Sequence, residues 1–279
     1  MDASIDLTQQ SPPILRRAAK AIALAVDSAL PATSGVVILA YHRVGARTRS
    51  PVDLELDAFR RQLDYLVEHF RVISLDDALT VLTGDGEVGP SVVLTFDDGT
   101  ADFADVVVPE LVERNLHSTL YLTTSAIDDQ TTFPDQGIAL SWESLRDVHS
   151  TGLVNVGAHT HTHRLLDRCD EMAIELELDV CNERIATEIG VMPEHFAYPK
   201  AVAGSALAEA AVRRRYRSAA LAGTRANPIG ETHPWRLRRS PVQVADGWSG
   251  FVRKVEGGMG AEDDVRGVIN LVRYRGRVS

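Results

Sequence analysis

Two clusters of ionisable side chains stand out along the 279 residues. The first is Thr95-Phe96-Asp97-Asp98-Gly99, at the end of the apolar run SVVLTF. Adjacent carboxylates repel one another, and one pKa rises unless a cation neutralises part of the pair. A metal ion bound by one of them would do so and leave its neighbour ionised as a base. A helix cap followed by a turn is the alternative, because Asp before Gly is common in loops. The second cluster is His159-Thr160-His161-Thr162-His163, just past the stretch VNVGA. Imidazoles are favoured ligands of zinc and similar divalent ions. Residues four apart converge on one ion if the segment turns helically after the strand. A solvated loop is the alternative here. Three of the chain's nine histidines nevertheless fall within this one segment, and together with the carboxylate pair they favour a metal site. A third segment, Phe196-Ala197-Tyr198-Pro199-Lys200, closes another short apolar stretch.

Positioning these groups falls to short apolar segments that alternate with helical patterns, the signature of βα units and a mainly parallel sheet. Sites in such folds form at strand ends. Strands are expected at 35–41, 72–75, 91–96, 117–123, 154–158, 196–198, 218–221 and 235–244. Helices are expected at 57–69, with Phe59, Leu63, Leu66 and Val67 on one face, and at 76–82 with an aspartate cap. Further helices fit 101–115, 141–150 capped by Ser141, 170–189 ending at Gly190, and 205–216. Residues 124–136 read as a polar loop. One domain of βα units, closed or nearly closed as a barrel, accounts for residues 34–245. Residues 1–33 read as an extension bearing an amphipathic helix over 14–30, started by Pro12-Pro13. Residues 246–279 read as a C-terminal extension packed on the barrel.

Composition narrows the partners. The chain has 44% hydrophobic and 24% charged residues, ordinary for a soluble globular protein. Its 29 basic against 39 acidic residues give a formal charge of -10, which argues against a nucleic-acid backbone or an acidic polymer and for a neutral substrate. Cys169 and Cys181 are placed in one helix, about 18 Å apart along its axis, too far for a disulfide. Arg16, Arg17, Lys20 and Asp27 interrupt the apolar residues of 14–30, so no integral membrane span is expected. The polar, acidic first residues do not resemble a secretory signal, and the expected location is cytoplasmic, with attachment at a membrane surface as an alternative.

The strand leading into Thr95-Phe96-Asp97-Asp98-Gly99, together with His159-Thr160 and His163, resembles the polysaccharide deacetylases of the NodB-homology type, a carbohydrate-esterase family. The resemblance runs over residues 35–225. It implies an α/β fold, an irregular (β/α) barrel of about seven parallel strands. It also implies a metal-dependent hydrolase that removes N-acetyl groups from an N-acetylated sugar or polysaccharide of the N-acetylglucosamine type and releases acetate. Carried over residue by residue, Asp97 is the catalytic base, and Asp98, His159 and His163 are the ligands of a divalent metal. Zinc is the first choice, with cobalt or nickel as alternatives. His161 receives no role. The third segment resembles the family's Arg-x-Pro-Tyr motif, but Ala197 stands at the arginine and Lys200 at the tyrosine. The Lys200 N–H keeps the oxyanion-donor role, because backbone donors survive side-chain changes, and Tyr198 and Pro199 are placed with it on the substrate side. The arginine that orients the base is missing. Arg238 or Arg239 are candidate replacements, an exposed strand edge being the alternative.

The family's general acid is a histidine at the end of a late apolar strand, and the C-terminal third holds no such strand. The pattern occurs at the front, where VVILAY ends in His42. First and last strands of a closed barrel are neighbours, so the residue can keep its place while the connectivity changes. The biofilm poly-N-acetylglucosamine deacetylases resemble this chain in the early Tyr-His strand end and the Ala-Tyr-Pro segment. His42 is therefore the expected acid, His233 the reserve, and a locally bonded histidine the alternative. An O-acetyl esterase or a small-molecule amidase uses the same attack chemistry. A non-catalytic carbohydrate-binding relative is a third reading, disfavoured by the intact Asp97, Asp98, His159 and His163. Trp142, Trp235 and Trp248 offer either sugar-stacking faces or core packing.

Overall fold

The computed structural model describes residues 34–87 and 89–260; the expected helix over 14–30 lies outside them. Ten strands occur among these residues: β1 (Val36–Tyr41), β2 (Arg43–Val44), β3 (Asp53–Leu54), β4 (Arg71–Val72), β5 (Ser91–Phe96), β6 (Ser118–Leu122), β7 (Val154–Ala158), β8 (His195–Ala197), β9 (Ser218–Ala222) and β10 (Leu237–Pro241). β5 through β10 pair in sequence, each parallel to the next. β1 inserts between the two ends, parallel to β5 on one edge and to β10 on the other, and closes a seven-stranded ring. The expected irregular (β/α) barrel of about seven parallel strands is the observed fold.

Alternation along each strand sorts the side chains into two layers. Val37, Leu39, Val92, Leu94, Phe96, Leu120 and Leu122 face the surrounding helices. Val36, Ile38, Val93, Tyr121, Ala197, Ala220 and Leu237 fill the ring. The helix α1 (Leu56–His69) buries Phe59, Gln62, Leu63 and Leu66. Val67 is 52% exposed, so it leaves the face expected of it. Gln62 takes its place there and accepts from Tyr41 Oη at 3.0 Å, which satisfies both polar groups inside the layer.

Helix α2 (Leu75–Thr83) packs Leu75, Ala78, Val81 and Leu82 into the inner cluster and closes the end of the ring where the strands begin. The expected strand over 72–75 shrinks to β4, because Ser74 Oγ accepts from Asp77 N and caps α2. A serine thus does what an aspartate was expected to do. The expected helix over 101–115 is divided: a wide turn at Phe103–Val107 precedes α3 (Val108–Glu113). Pro109 has no N–H for the carbonyl four residues back, which favours the widened turn. The expected loop over 124–136 contains α4 (Thr124–Asp128). Side-chain caps from Ser141, Asp170 and Ser205 start α5 (Trp142–Ser150), α6 (Glu171–Ile189) and α7 (Ala206–Arg215). Cys169 therefore precedes α6 instead of sharing it with Cys181; both thiols are free and buried. α8 (Gly247–Val255) buries Phe251 and Val255 against the outer layer. No described helix is long and apolar enough to cross a membrane.

Asp76 ties α2 to the starts of three strands. Its Oδ1 accepts from Arg217 at 2.7 Å and lies 3.4 Å from His195 Nε2, while Oδ2 accepts from Asn155 at 3.2 Å. Contact with His195 is the largest influence on this carboxyl. With Arg217 and Asn155 it outweighs partial burial and holds Asp76 below the usual range. A depressed folded pKa contributes stability above the unfolded value of about 4 and loses it as pH falls through the folded value. Asp76→Asn is accordingly expected to lower the urea midpoint at pH 7 and to approach the wild type at about pH 2. Equal midpoints at both pH values would show that this clasp contributes nothing.

Candidate active site

The opposite end of the ring, where the strands finish, carries the candidate site residues. Asp97 and Asp98 follow β5, His159 and His163 follow β7, His42 follows β1, and Arg239 lies within β10. A cleft of about 280 Å³ is lined by all six, together with Lys200, Val52, Leu221, Ala222, Pro241 and Gln243 among others.

Asp98, His159 and His163 each offer a ligand atom, all within 4.8 Å of one another. Asp98 Oδ1 lies 3.7 Å from His159 Nε2 and 3.6 Å from His163 Nε2. The backbone carbonyl of Ala197 lies 2.7 Å from His159 Nδ1. A carbonyl only accepts, so Nδ1 carries the proton and the Nε2 lone pair faces Asp98, the tautomer a metal requires. Burial pushes the His159 imidazole down to about 4 against the opposing pull of Asp97, so it is neutral at pH 7. Two imidazole nitrogens and one carboxylate suit zinc, cobalt or nickel. Several of these residues adopt a left-handed backbone: Asp98 (φ 75), Thr160 (φ 65), His163 (φ 60) and Lys200 (φ 52). Such conformations cost energy in non-glycine residues and persist where the surroundings enforce them. The backbone supplies part of that enforcement. Thr123 N donates to Asp98 O and His159 N donates to Leu122 O, at 3.1 and 2.9 Å.

Asp97 has a different environment. Its carboxylate takes two hydrogen bonds from Arg239, Nη1 to Oδ1 at 2.5 Å and Nη2 to Oδ2 at 2.9 Å. Both residues are buried. Burial alone raises a carboxyl, but the charge of Arg239 and its hydrogen bonds outweigh it and hold Asp97 well below the usual range. Arg239 thus occupies the place for which Arg238 and Arg239 were both candidates. Alternation settles which: Leu237 and Arg239 point into the ring, and Arg238 points out.

His42 Nε2 stands 3.9 Å from Asp97 Oδ2, with the imidazole 27% exposed to the cleft. His233 caps a short turn before β10, at the other end of that strand, and is separated from the cleft. In the third segment, Ala201 N donates to Tyr198 O and Val202 N to Pro199 O. Among the described residues no backbone carbonyl takes the Lys200 N–H that lies between them. Tyr198 and Pro199 are buried, and only Lys200 of the three lines the cleft. His161 turns away to Thr124, Nδ1 to Oγ1 at 2.9 Å. Trp142, Trp235 and Trp248 pack against the outer core and do not line the cleft. Gln243 went unmarked in the sequence, although it continues the inward alternation of Leu237, Arg239 and Pro241.

Residues 85–219 match the family model described as polysaccharide deacetylase. Comparison with curated proteins gives no match. Among solved structures, IcaB from Ammonifex degensii is 23% identical with a TM-score of 0.70, over 80% of this chain and 97% of that one. The Streptococcus pyogenes deacetylase PplD is 16% identical with a TM-score of 0.67, over 84% of this chain and 98% of that one. A de-N-acetylase from Aggregatibacter actinomycetemcomitans is 18% identical with a TM-score of 0.65, over 78% and 99%. At these identities the likeness is one of fold.

Proposed function

The chain carries a polysaccharide deacetylase domain, and from that premise we propose that it is a metal-dependent hydrolase releasing acetate from an N-acetylated sugar of the N-acetylglucosamine type. One observation carries the reading: the three-ligand set and the Asp97–Arg239 pair meet in a single cleft beside His42.

Asp98, His159 and His163 would hold the cation. When bound, such an ion polarises a carbonyl and acidifies water. Asp97, kept ionised by Arg239, takes a proton from the attacking water as oxygen bonds to the acetyl carbon. The Lys200 N–H donates to the oxyanion that develops. His42, in its protonated form, gives its proton to the sugar nitrogen as the carbon–nitrogen bond breaks, and acetate departs. The apolar wall of Val52, Leu221 and Ala222 suits the methyl group and a neutral sugar face.

The test is chelation followed by restoration. Acetate release from N-acetylglucosamine oligomers is expected to fall to background after chelator treatment and to return with zinc, cobalt or nickel. Release that survives complete metal removal would refute the metal-dependent reading. Metal uptake without acetate release would refute the substrate, and O-acetyl esters and small amides would then be assayed.

A further inference from the structure

Arg239 rests on an aromatic ring. The guanidinium carbon lies 5.0 Å from the centroid of Tyr121, a fully buried residue of β6 that points into the ring of strands. Attraction between a cation and an aromatic face strengthens when both are removed from water. Arg239 Nη1 also donates to Thr95 Oγ1 at 3.1 Å, and that hydroxyl donates onward to Leu39 O at 2.7 Å. The guanidinium is therefore fixed by a ring, a hydroxyl and a carboxylate.

The seat of Tyr121 depends on a neighbouring strand. β6 and β7 pair with Tyr121 opposite Gly157. A Cβ at position 157 would lie 2.5 Å from Tyr121 Cδ1 and 2.7 Å from Cε1, closer than side-chain atoms approach. Gly157 does not adopt a positive φ, so its backbone makes no demand for glycine. A glycine inside a strand weakens it and marks a close approach, here that of the Tyr121 ring and, 2.9 Å from the same Cβ, of the His195 carbonyl oxygen on β8. The Tyr121 hydroxyl has no hydrogen-bond partner among the described residues, which assigns the role to the ring.

We infer that Gly157, Tyr121 and Thr95 form a positioning stack for Arg239 and, through it, for Asp97. The inference rests on the proposed role of Asp97 as base. Among the described residues no hydrogen bond, ion pair or ring contact joins Tyr121 or Thr95 to Asp98, His159 or His163, and Gly157 stands two positions before His159, so the stack is expected to act on turnover and not on metal retention.

The experiment compares Tyr121→Phe, Tyr121→Leu and Gly157→Ala in zinc-loaded full-length protein, with two readouts. The first is nitrogen NMR of the Arg239 guanidinium, whose Nη signals separate when rotation is hindered; it needs no substrate. Wild type and Tyr121→Phe are expected to show separated signals, and Tyr121→Leu to lose them. The second is acetate release, where Tyr121→Leu is expected to lower kcat about 10- to 100-fold, as small misplacements of reacting groups do, with KM and zinc content unchanged. Tyr121→Phe is expected to retain wild-type kcat. If Gly157→Ala folds, it should follow Tyr121→Leu. Averaged Nη signals in the wild type, or separated signals with undiminished kcat in Tyr121→Leu, would overturn the stack. Zinc loss in Tyr121→Leu would overturn it as well, because the effect would then be general. A wild type that releases no acetate would instead sink the functional reading, while the NMR comparison still decides the stack.

Discussion

Asp97→Asn is expected to lower kcat by about 10²- to 10⁴-fold, the usual contribution of a positioned general base, while zinc remains bound through Asp98, His159 and His163. The second consequence comes from Arg239, which loses its counter-ion in the variant although it stays 2% exposed. Breaking a buried ion pair from one side costs about 3–5 kcal/mol. In a chain of this size that lowers Tm by roughly 10 °C. Steady-state acetate release, metal content and thermal unfolding of one preparation measure all three. A variant that turns over normally would remove Asp97 from the base role. One that melts with the wild type would show that the pair has no net structural value.

Arg239→Met reaches the same pair from the other side. Asp97 then stays buried without its bidentate partner, and burial, the largest influence on this carboxyl, is no longer outweighed by the guanidinium. Its pKa should rise, so the acid limb of the activity profile should move to higher pH. In the wild type the depressed pKa contributes stability above about pH 4, which is lost as pH falls through the folded value; the substitution should remove that contribution. At pH 7 the cost is again about 3–5 kcal/mol. Combining Arg239→Met with Asp97→Asn leaves neither charge buried. The double variant is expected to melt above either single one while remaining inactive, because replacing both partners is far less costly than removing one. Melting losses that simply add would mean that the two residues are not coupled.

Much of this site was legible before the fold was known, for physical reasons. Asp97, Asp98, His159 and His163 follow strongly apolar strands, and in parallel βα folds the ends of strands are where side chains meet. SVVLTF and VNVGA appear as β5 and β7 with the expected bounds. His42 could be placed because ring closure makes the first and last strands neighbours, whatever their order in the chain. The choice between Arg238 and Arg239 was harder. Alternation puts Arg239 with Leu237 and Pro241 on one face and Arg238 on the other, but which face turns into the ring is set by closure of the barrel and not by the sequence of β10. Tyr198 illustrates the opposite difficulty. Its motif neighbours suggested the substrate side, yet it lies beneath the turn, packed on Phe196 at 5.0 Å between ring centroids. Backbone direction within an irregular turn leaves no periodic trace in sequence. Gln62 and Val67 exchanged places for a related reason: a glutamine can be buried when a tyrosine hydroxyl awaits it, and apolar periodicity alone does not reveal that partner.

The insertion of β1 between β5 and β10 also orders events during synthesis. The candidate ligands Asp98, His159 and His163 leave the ribosome well before β10, whereas Asp97 cannot meet Arg239 until the strand holding Ser240 pairs with Leu39. That pairing joins residues some two hundred positions apart, the kind of contact that forms slowly. A nascent chain stopped short of residue 237 would carry every candidate metal ligand but no guanidinium to neutralise its base. On the proposed mechanism, hydrolytic competence would come late in the life of each molecule, at the moment the ring shuts.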